Sequence, residues 1–405
     1  MPRLTILTQY FPPEMGAPQA RLSEMGERLV DFGWSVDVLT ALPNYPEGKV
    51  RRGYAPWKPV VEQLGRMRVA RVPLVPSQKG FASRLGCYFS FAGSASALGP
   101  SLLERPDLLY VESPPLFIGY AARALSLRWR CPYVFNVSDL WPESAIRMGV
   151  VKPGPATALA EQLELSLYRN AAGVTGQSSE IIESVRQRAP GTPTELVTNG
   201  VDPKRWGPER ATPEARALLG SEPGPVFVFA GLLGLAQGLD AILELAKSLG
   251  DAEPGRFVLI GDGPVREKLS ARIAAERIGR VKLVPAQPRE AIPALLACAD
   301  AAVISLGMSI VGAVPSKIYE AMAASLPILL IADGEPAARV ADAGCGLSSA
   351  PGDAARLGQN FRRIAGDPGL RRELGAKGRV AAETKYDRTA IATRLDAFLR
   401  GRLRG

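Results

Sequence analysis

Short blocks of apolar residues alternate along the chain with stretches in which apolar residues recur at helical spacing. Apolar runs such as Ala301–Leu306 and Pro327–Ala332 are typical of parallel strands buried on both faces. Between these two runs, Pro315 stands where a helix can begin, because its missing N–H costs nothing there. The same alternation runs through both halves of the chain. It predicts the α/β class, with two doubly wound, Rossmann-like domains whose ligand-binding edges face each other across a cleft.

The length supports this division. The chain has 405 residues, which is too many for one ordinary domain. A proline-rich linker follows the Asn-Gly-Val-Asp turn that begins at Asn199. We therefore predict a first domain over residues 1–200, a second over 201–385 and a last helix within 386–405.

The helix after Pro315 suits the binding of a nucleotide diphosphate. The free N–H groups of a helix N-terminus attract anions, and Lys317 adds a positive charge in the first turn. Glu320 lies three residues further on the same face, where a carboxylate can accept hydrogen bonds from vicinal hydroxyls such as those of a ribose. An ordinary crossover helix with a surface Lys–Glu pair explains the same spacing.

Loops that follow predicted strands carry further candidates. Gly16 precedes a helix, where backbone can approach a ligand closely. Asn44 and Tyr45 lie in a proline-containing loop that suits either an acceptor site or a rigid surface. Asp139 and Glu143 follow another strand, at the edge where doubly wound folds bind ligands. The alternative for Asp139 is that it caps the following turn.

Two more candidate sites lie close to other strand ends. Glu112 ends the strand Asp107–Val111 at the edge that also carries Asp139. Gly234 lies in a glycine-rich turn after the strand Val226–Ala230, which alone is a weak signal. That turn is not G-x-G-x-x-G, which counts against NAD. The turn Gly261–Pro264 is also explained as a tight connection between strand and helix.

Composition narrows the chemistry. The chain contains no histidine, which excludes an imidazole base, a His-assisted Ser or Cys nucleophile and a His-ligated metal. Proton transfer must fall to carboxylates, Lys, Tyr or the substrate. The net charge of +9 favours an anionic partner. The basic residues are scattered and no nucleic-acid motif occurs, so we expect no nucleic-acid partner.

Three further features concern location. The four cysteines are far apart, which indicates buried thiols in a reducing compartment. There is no uncharged apolar run of about 18 residues and no signal-peptide pattern at the start, so we expect neither a membrane span nor a leader. The segment Lys79–Leu103 mixes aromatic and basic residues, which suits a membrane interface. A helix packed in the core is the alternative.

Three motifs resemble those of family-4 glycosyltransferases with the GT-B fold. They are Y-F-P-P-E-x-G-A-P from Tyr10, D-L-W-P-E-S from Asp139 and P-S-K-x-Y-E from Pro315. The similarity is greatest to the branch that adds fucosamine-type sugars in O-antigen and colanic-acid synthesis. It implies that Glu320 binds the nucleotide ribose and that Asp139 lies beside the donor sugar.

The resemblance also assigns the remaining donor contacts. It implies that the loops of Gly16 and Gly234 face the donor phosphates, and that the loop of Gln287 contacts the base largely through backbone. Two positions depart from the family pattern. Gly312 stands where the family has a second Glu, and Gln237 replaces a basic residue, which leaves more of the phosphate charge to Lys317.

The activity implied by the resemblance is retaining, metal-independent transfer of an N-acetylated deoxyhexose. The donor is a UDP-sugar and the acceptor is polyprenyl-diphosphate-linked, with Lys317 stabilising the leaving diphosphate and Asp139 orienting the reaction. Asn44, Tyr45 and Glu143 are the expected acceptor contacts. We expect no cofactor, a cytoplasmic protein peripheral on the inner face of the cell membrane through Lys79–Leu103, and a C-terminal helix that crosses back to the first domain.

Two other functions remain open on the sequence. A UDP-sugar epimerase of the same architecture is one, although such enzymes usually employ histidine. A non-catalytic protein that binds nucleotide sugars or a lipid surface is the other, suggested by Gly312 and Gln237 in place of charged residues.

Overall fold

The structure is a computed structural model that describes residues 1–14, 16–77, 80–147, 149–250, 252–308 and 311–403. Contacts divide the chain into two compact units. Unit 1 comprises Met1–Asn199, Val311–Ala313 and Ile391–Gly405, and unit 2 comprises Gly200–Ile310 and Val314–Ala390. The boundaries after residues 200 and 385, as limits of independently folding domains, stay a prediction.

Unit 1 is built on an eight-stranded sheet with helices on both faces. The strand order is β3-β4-β2-β1-β5-β6-β7-β8, parallel except for the antiparallel β3–β4 pair. The strands are β1 (Arg3–Leu7), β2 (Ser35–Ala41), β3 (Val60–Leu64), β4 (Met67–Val72), β5 (Leu108–Ser113), β6 (Tyr133–Val137), β7 (Gly173–Gly176) and β8 (Thr194–Leu196). The helices are α1 (Ala17–Asp31), α2 (Phe81–Leu102), α3 (Ile118–Trp129), α4 (Glu143–Arg147), α5 (Pro155–Asn170) and α6 (Ser179–Arg188).

Within the described residues, unit 2 has six parallel strands in the order β11-β10-β9-β12-β13-β14. They are β9 (Val226–Ala230), β10 (Arg256–Ile260), β11 (Val281–Val284), β12 (Ala301–Ser305), β13 (Ile328–Ile331) and β14 (Gly346–Ser349). Its helices are α7 (Pro213–Leu219), α8 (Asp240–Ser248), α9 (Arg266–Ala275), α10 (Ile292–Ala297), α11 (Ser316–Ala323), α12 (Gly334–Ala343), α13 (Ala354–Gly366) and α14 (Pro368–Thr384). Helix α7 lies in the segment predicted to be an irregular linker.

Both sheets are covered on both faces, as the apolar strands predict. In β1, Leu4 and Ile6 pack in one hydrophobic cluster while Leu7 packs in another on the opposite face. In β9, Val228 and Phe229 divide between two clusters in the same way. The predicted α/β class with two doubly wound sheets is confirmed.

The β3–β4 hairpin was not predicted. Strand β3 lies at the edge of the sheet and is largely exposed, so its residues Val-Val-Glu-Gln-Leu lack the apolar run of a buried strand. Strand β4 contains two arginines among apolar residues, and one of them, Arg71, is fully buried and forms an ion pair with Glu62 at 2.6 Å. The strand was missed because its arginines interrupt the apolar run by which a buried strand is recognised in a sequence. The cross-strand ion pair allows Arg71 to be buried nevertheless.

The final helix, α15 (Arg388–Arg400), ends in the core of unit 1. Its residues Ile391, Ala392, Leu395 and Leu399 are fully buried in the cluster that contains Leu22 of α1. In the part of the chain that the structure describes, no helix is both long enough and apolar enough to cross a membrane.

In each sheet the strand order reverses direction at one point. This switch point lies between β1 and β5 in unit 1 and between β9 and β12 in unit 2. Ligands of doubly wound proteins bind beyond the carboxyl ends of the strands that flank a switch point. The loops after β1, β5, β9 and β12 are therefore the first places to look for a site.

Candidate functional site

Lys317 lies at the switch point of unit 2, in the first turn of α11. Its Nζ is 3.8 Å from the centroid of the Phe229 ring, and burial lowers the pKa of Lys317 to about 8, against the opposing effect of the Glu320 carboxylate. A Cβ at Gly231 would lie 2.5 Å from Lys317 Cε. Only glycine at position 231, with φ of +141°, leaves room for this ammonium group.

Glu320 lines a small pocket of unit 2 one turn further along α11. Arg205, Arg289 and Arg388 line the same pocket. Burial raises the pKa of Glu320, and these arginines together with Lys317 oppose that rise. Among the described residues, none donates a hydrogen bond to Glu320 or forms an ion pair with it, so its oxygens are open to the hydroxyls of a ligand.

The surface-pair explanation of Lys317 and Glu320 therefore does not fit. The two side chains form no ion pair with each other within the described chain, and both are half-buried rather than solvated. Burying two charges without partners is unfavourable, and the packing of an ordinary crossover helix does not require it. A ligand that supplies an anion to one and hydroxyls to the other would offset this cost.

The remaining donor candidates occupy neighbouring loops of unit 2. Gly234 begins a short 3₁₀ turn that ends at Gln237, in the loop after β9. Gln287 follows β11, and its Nε2 donates to its own loop at Pro285 O over 3.1 Å. The turn at Gly261 packs against the loop after β9, with Leu233 N donating to Asp262 O at 2.9 Å, which agrees with a tight structural connection.

In unit 1, Asp139 lies in the loop after β6. Its Oδ2 accepts a hydrogen bond from Ser144 Oγ at 2.8 Å, and burial raises the pKa of Asp139 while the Ser144 hydroxyl and the Leu140 N–H oppose the rise. The carboxylate thus folds back on its own turn, as the capping alternative predicts, without leaving the ligand-binding edge. Glu143 begins α4 and forms a half-exposed ion pair with Arg147 at 2.8 Å.

The acceptor candidates Asn44 and Tyr45 follow β2 and are held by Glu14, a residue that the sequence did not single out. Glu14 Oε1 accepts the backbone N–H groups of both residues at 2.8 Å. Asn44 is buried, and its Oδ1 has no hydrogen-bond partner among the described residues. The Tyr45 ring is 42% exposed and packs edge-to-face on Tyr10, with 5.6 Å between the ring centroids. Gly16 lies immediately before α1, where an added Cβ would lie 2.2 Å from Gln19 Oε1, so the end of the Gln19 side chain would have to move.

At position 312, where the family pattern has a glutamate, the structure has no room for a side chain other than that of glycine. Its φ is +76°, and a Cβ there would lie 2.5 Å from Ile181 Cγ1 and 2.7 Å from Ser178 Oγ. Its N–H donates to Glu180 Oε2 at 2.6 Å. The departure from the family pattern is therefore built into the packing of this segment against α6 in unit 1.

Helix α2, within the segment Lys79–Leu103, packs in the core on one face and leaves aromatic residues accessible on another, and contact with a membrane stays a prediction. Lys79 lies outside the described residues. In α2, Cys87 and Phe91 are buried in the core, whereas Phe89 is 46% exposed. The ring centroids of Phe89 and Phe117 are 4.7 Å apart, and the two rings belong to a partly exposed aromatic patch. We define this aromatic patch as Phe89, Phe117, Tyr120 and Trp141.

Sequence reasoning missed a buried polar network in unit 1. Arg21 of α1 forms an ion pair with Glu112 of β5 at 2.5 Å, and both side chains are 3% exposed. Asn136 and Ser138, at the end of β6, also bond to Glu112, each at 2.7 Å. The available signal was that each of these residues lies in or beside a loop motif at the same strand edge.

Family models match both halves of the chain. The model described as "Glycosyl transferase 4-like domain" matches residues 16–200, and the one described as "Glycosyl transferases group 1" matches residues 212–381. The chain belongs to the family-4 glycosyltransferases with the GT-B fold. It is therefore a glycosyltransferase that uses a nucleotide sugar, and the resemblance in the three motifs is confirmed.

Two curated proteins are similar to this glycosyltransferase over most of their length. The putative colanic acid biosynthesis glycosyl transferase WcaI of Escherichia coli is 28% identical over 77% of this chain and 79% of its own. The 2-deoxystreptamine glucosyltransferase of Streptomyces kanamyceticus is 28% identical over 86% and 90%.

Solved structures share the fold of this glycosyltransferase. Sucrose-phosphate synthase from Thermosynechococcus elongatus aligns with a TM-score of 0.75 and 19% identity over 99% of both chains. Anabaena HepE in complex with UDP aligns with a TM-score of 0.70 and 16% identity over 99% of this chain and 100% of its own.

Proposed function

We propose that this glycosyltransferase moves an N-acetylated deoxyhexose from a UDP-sugar to a polyprenyl-diphosphate-linked acceptor, with retention and without a metal. The product would enter a surface polysaccharide or another glycan. The donor half of the proposal rests on two half-buried side chains at the switch point of unit 2, Lys317 and, one turn away, Glu320, which have no ion-pair partner among the described residues. HepE, solved with UDP and with UDP-glucose, supports UDP as the nucleotide.

In this proposal Lys317 and the N-terminal amides of α11 stabilise the departing diphosphate. Preorganised donors aimed at developing charge are usually the largest single contribution to catalysis. The amides near Gly16 and Gly234 are further candidates for this role. Since the chain has no histidine, the leaving phosphate accepts the proton of the acceptor hydroxyl, and Asp139 orients the reacting groups.

Metal independence is part of this proposal. Among the described residues, no group of three or more His, Cys, Asp or Glu side chains is arranged to hold a metal ion. The positive charge that a metal would supply to the diphosphate is assigned to Lys317. Turnover that survives treatment with EDTA would agree with this assignment, and turnover lost to EDTA and restored by Mg²⁺ would contradict it.

The acceptor half rests on unit 1 and on the similarity to the colanic acid transferase. Asn44 offers an unpaired buried oxygen to a sugar hydroxyl, Tyr45 offers an exposed ring, and Glu143 is half-exposed. The aromatic patch, with the exposed Arg84 and Arg123 on the same two helices, suits the interface of an anionic membrane. We assign the protein to the cytoplasmic face of the cell membrane on this basis.

The membrane assignment is tested by sedimentation with vesicles. The protein is expected to bind phosphatidylglycerol vesicles and not phosphatidylcholine vesicles, and the double variant F89D/Y120D is expected to lose most of this binding. Val380→Asp is the matched control, because Val380 is 58% exposed on α14 of unit 2. Binding that is equal in all three proteins would show that the aromatic patch does not contact lipid.

The donor site is tested by calorimetric titration of UDP, GDP and NAD. UDP is expected to bind best, and Glu320→Gln is expected to weaken it about tenfold, roughly 1.4 kcal/mol. Glu373→Gln, on the exposed face of α14, is the control. Preference for GDP would keep the architecture and change the donor, whereas preference for NAD or an unchanged affinity in Glu320→Gln would overturn the site.

Incubation with UDP-glucose, UDP-N-acetylglucosamine and UDP-N-acetylfucosamine, with and without polyprenyl-diphosphate-linked N-acetylglucosamine, separates the candidate activities. A product that forms only with the acceptor indicates a transferase. A product without it indicates an epimerase or a hydrolase. Binding of UDP without any product indicates a non-catalytic protein or another donor sugar.

A further inference from the structure

The buried network of unit 1 joins three sequence motifs at one strand edge. Arg21 comes from the helix after β1, Glu112 from the end of β5 and Ser138 from the end of β6. Arg21 Nη2 lies 2.5 Å from Glu112 Oε1, and Ser138 Oγ donates to the same oxygen over 2.7 Å. Strands β1 and β5 flank the switch point of the sheet, so the ion pair closes the floor of the ligand-binding edge.

Ser138 is the hub of this network. Its hydroxyl donates to Glu112, which as a carboxylate can only accept. Three donors reach the Ser138 oxygen in turn: Arg21 Nη2 at 3.4 Å, Asn136 Nδ2 at 3.1 Å and the amide of Gln177. A hydroxyl oxygen has two lone pairs, so these donors more than satisfy it and fix the position of residue 138.

Asp139 is the next residue in the chain. Its carboxylate is held on the other side by Ser144 Oγ at 2.8 Å, so the segment is fixed from both ends. A buried ion pair is weak support for stability, because apolar residues of similar volume often stabilise as well. Apolar residues would not supply the directed hydrogen bonds that reach Ser138.

We propose that Arg21 and Glu112 act through Ser138 as positioning residues for Asp139. This inference rests on the proposed role of Asp139 in sugar transfer. A displacement of a reacting group by about 1 Å can cost about 100-fold in rate, which is ample reason to hold the segment rigidly. The donor residues Lys317 and Glu320 belong to unit 2, so binding of UDP should not depend on the network.

Ser138→Ala is the first test, because it removes the hub and leaves the Arg21–Glu112 ion pair in place. We expect an unfolding midpoint close to wild type, a UDP affinity within about twofold, and a kcat that falls about 10- to 100-fold at an unchanged donor KM. Ser126→Ala is the matched control: Ser126 is also partly buried in unit 1, and its Oγ donates to Cys131 O at 2.6 Å. It should keep the wild-type kcat.

The double variant R21M/E112L is the second test. It removes both buried charges at once, so neither is left uncompensated and the protein should fold. The proposal requires its kcat to be as low as that of Ser138→Ala, with UDP affinity again retained. A wild-type kcat in a folded R21M/E112L or in Ser138→Ala would overturn the proposal.

Failure of the proposed function is distinguishable from failure of this inference. If the wild-type protein does not bind UDP, or turns over none of the sugar nucleotides named above, the function is wrong and the crystal structure of Ser138→Ala decides the positioning role. There, the Asp139 Oδ2 to Ser144 Oγ separation is expected to exceed hydrogen-bond distance. An unchanged separation would show that Asp139 does not depend on the network.

Discussion

The carboxyl edges of the two sheets carry charged side chains in opposite states. In unit 1, Arg21 and Glu112 are buried and bond to each other and to Ser138. In unit 2, the Lys317 ammonium lies over the face of the Phe229 ring, and among the described residues neither Lys317 nor Glu320 has an ion-pair partner. A network whose polar groups are all hydrogen-bonded holds the backbone in place. Half-buried charges without a protein partner gain free energy when a ligand pairs with them, because the ligand offsets the cost of burying them.

The largest expected effect is a loss of stability when the Arg21–Glu112 network of unit 1 is broken. Glu112→Gln leaves Arg21 buried without a counter-charge, which should lower the free energy of unfolding by about 3–5 kcal/mol in urea denaturation. Glu373→Gln, whose carboxylate pairs with Lys377 on the surface, should match wild type. A Glu112→Gln protein as stable as wild type would mean that the network does not hold unit 1 together.

The next largest effect is expected at Lys317 in unit 2, where a substitution should lower turnover rather than stability. Lys317→Met removes the proposed charge opposite the departing diphosphate and should lower kcat about 100- to 1,000-fold, the range seen when one preorganised donor is lost. Stability should not fall, because an unpaired buried charge is removed. Lys385→Met, on the exposed end of α14, serves as the control. Normal turnover in Lys317→Met would refute leaving-group stabilisation by this residue.

A smaller effect is expected from filling the space around Lys317. Gly231→Ala places a Cβ 2.5 Å from Lys317 Cε at a φ of +141°, so it should cost about 1–3 kcal/mol of stability and displace the ammonium group. UDP affinity, measured by calorimetry, should fall with it. Gly250→Ala, where a Cβ meets nothing within 4 Å, is the control. Adding Lys317→Ala to Gly231→Ala should restore part of the stability but not the affinity.

The smallest effect is a pH dependence of UDP binding. Burial lowers the pKa of Lys317 to about 8, so the free protein carries this charge at pH 7 and loses it as the pH rises through 8. UDP keeps its full charge over that range, since a terminal phosphate titrates near pH 6. Affinity should therefore drop about tenfold between pH 7 and 9. In Lys317→Met it should be weak and flat, and a parallel decline in that variant would assign the titration to another group.

The sequence predicted those features that lie within one element. The apolar runs of β9, β12 and β13 specified the sheet of unit 2, and the three-residue spacing placed Lys317 and Glu320 on one helix face. The network of unit 1 could not be predicted from the sequence, because Arg21 and Glu112 are 91 residues apart and only the strand order brings them together. Periodicity likewise did not find β3, whose two faces are largely exposed.

The spacing of Lys317 and Glu320 in the sequence also did not predict which groups surround each charge. Lys317 and Glu320 have the separation of a surface ion pair, yet the helix turns the ammonium toward Phe229 and the carboxylate toward Arg289. Only the packing of α11 on β12, β13 and α14 makes this distinction. The residue type and its position in the helix were predictable, and its burial was not.

The conformation at Gly312 has an evolutionary consequence. A Cβ at this position would strike Ile181 and Ser178, and the φ of +76° disfavours every other residue type. The glutamate of the family pattern therefore cannot return by a single mutation. Ile181 would first have to become smaller, and the segment would have to release the hydrogen bond from Gly312 N–H to Glu180. Substitution of Gly312 by glutamate alone would therefore strain this segment rather than place the family's side chain there.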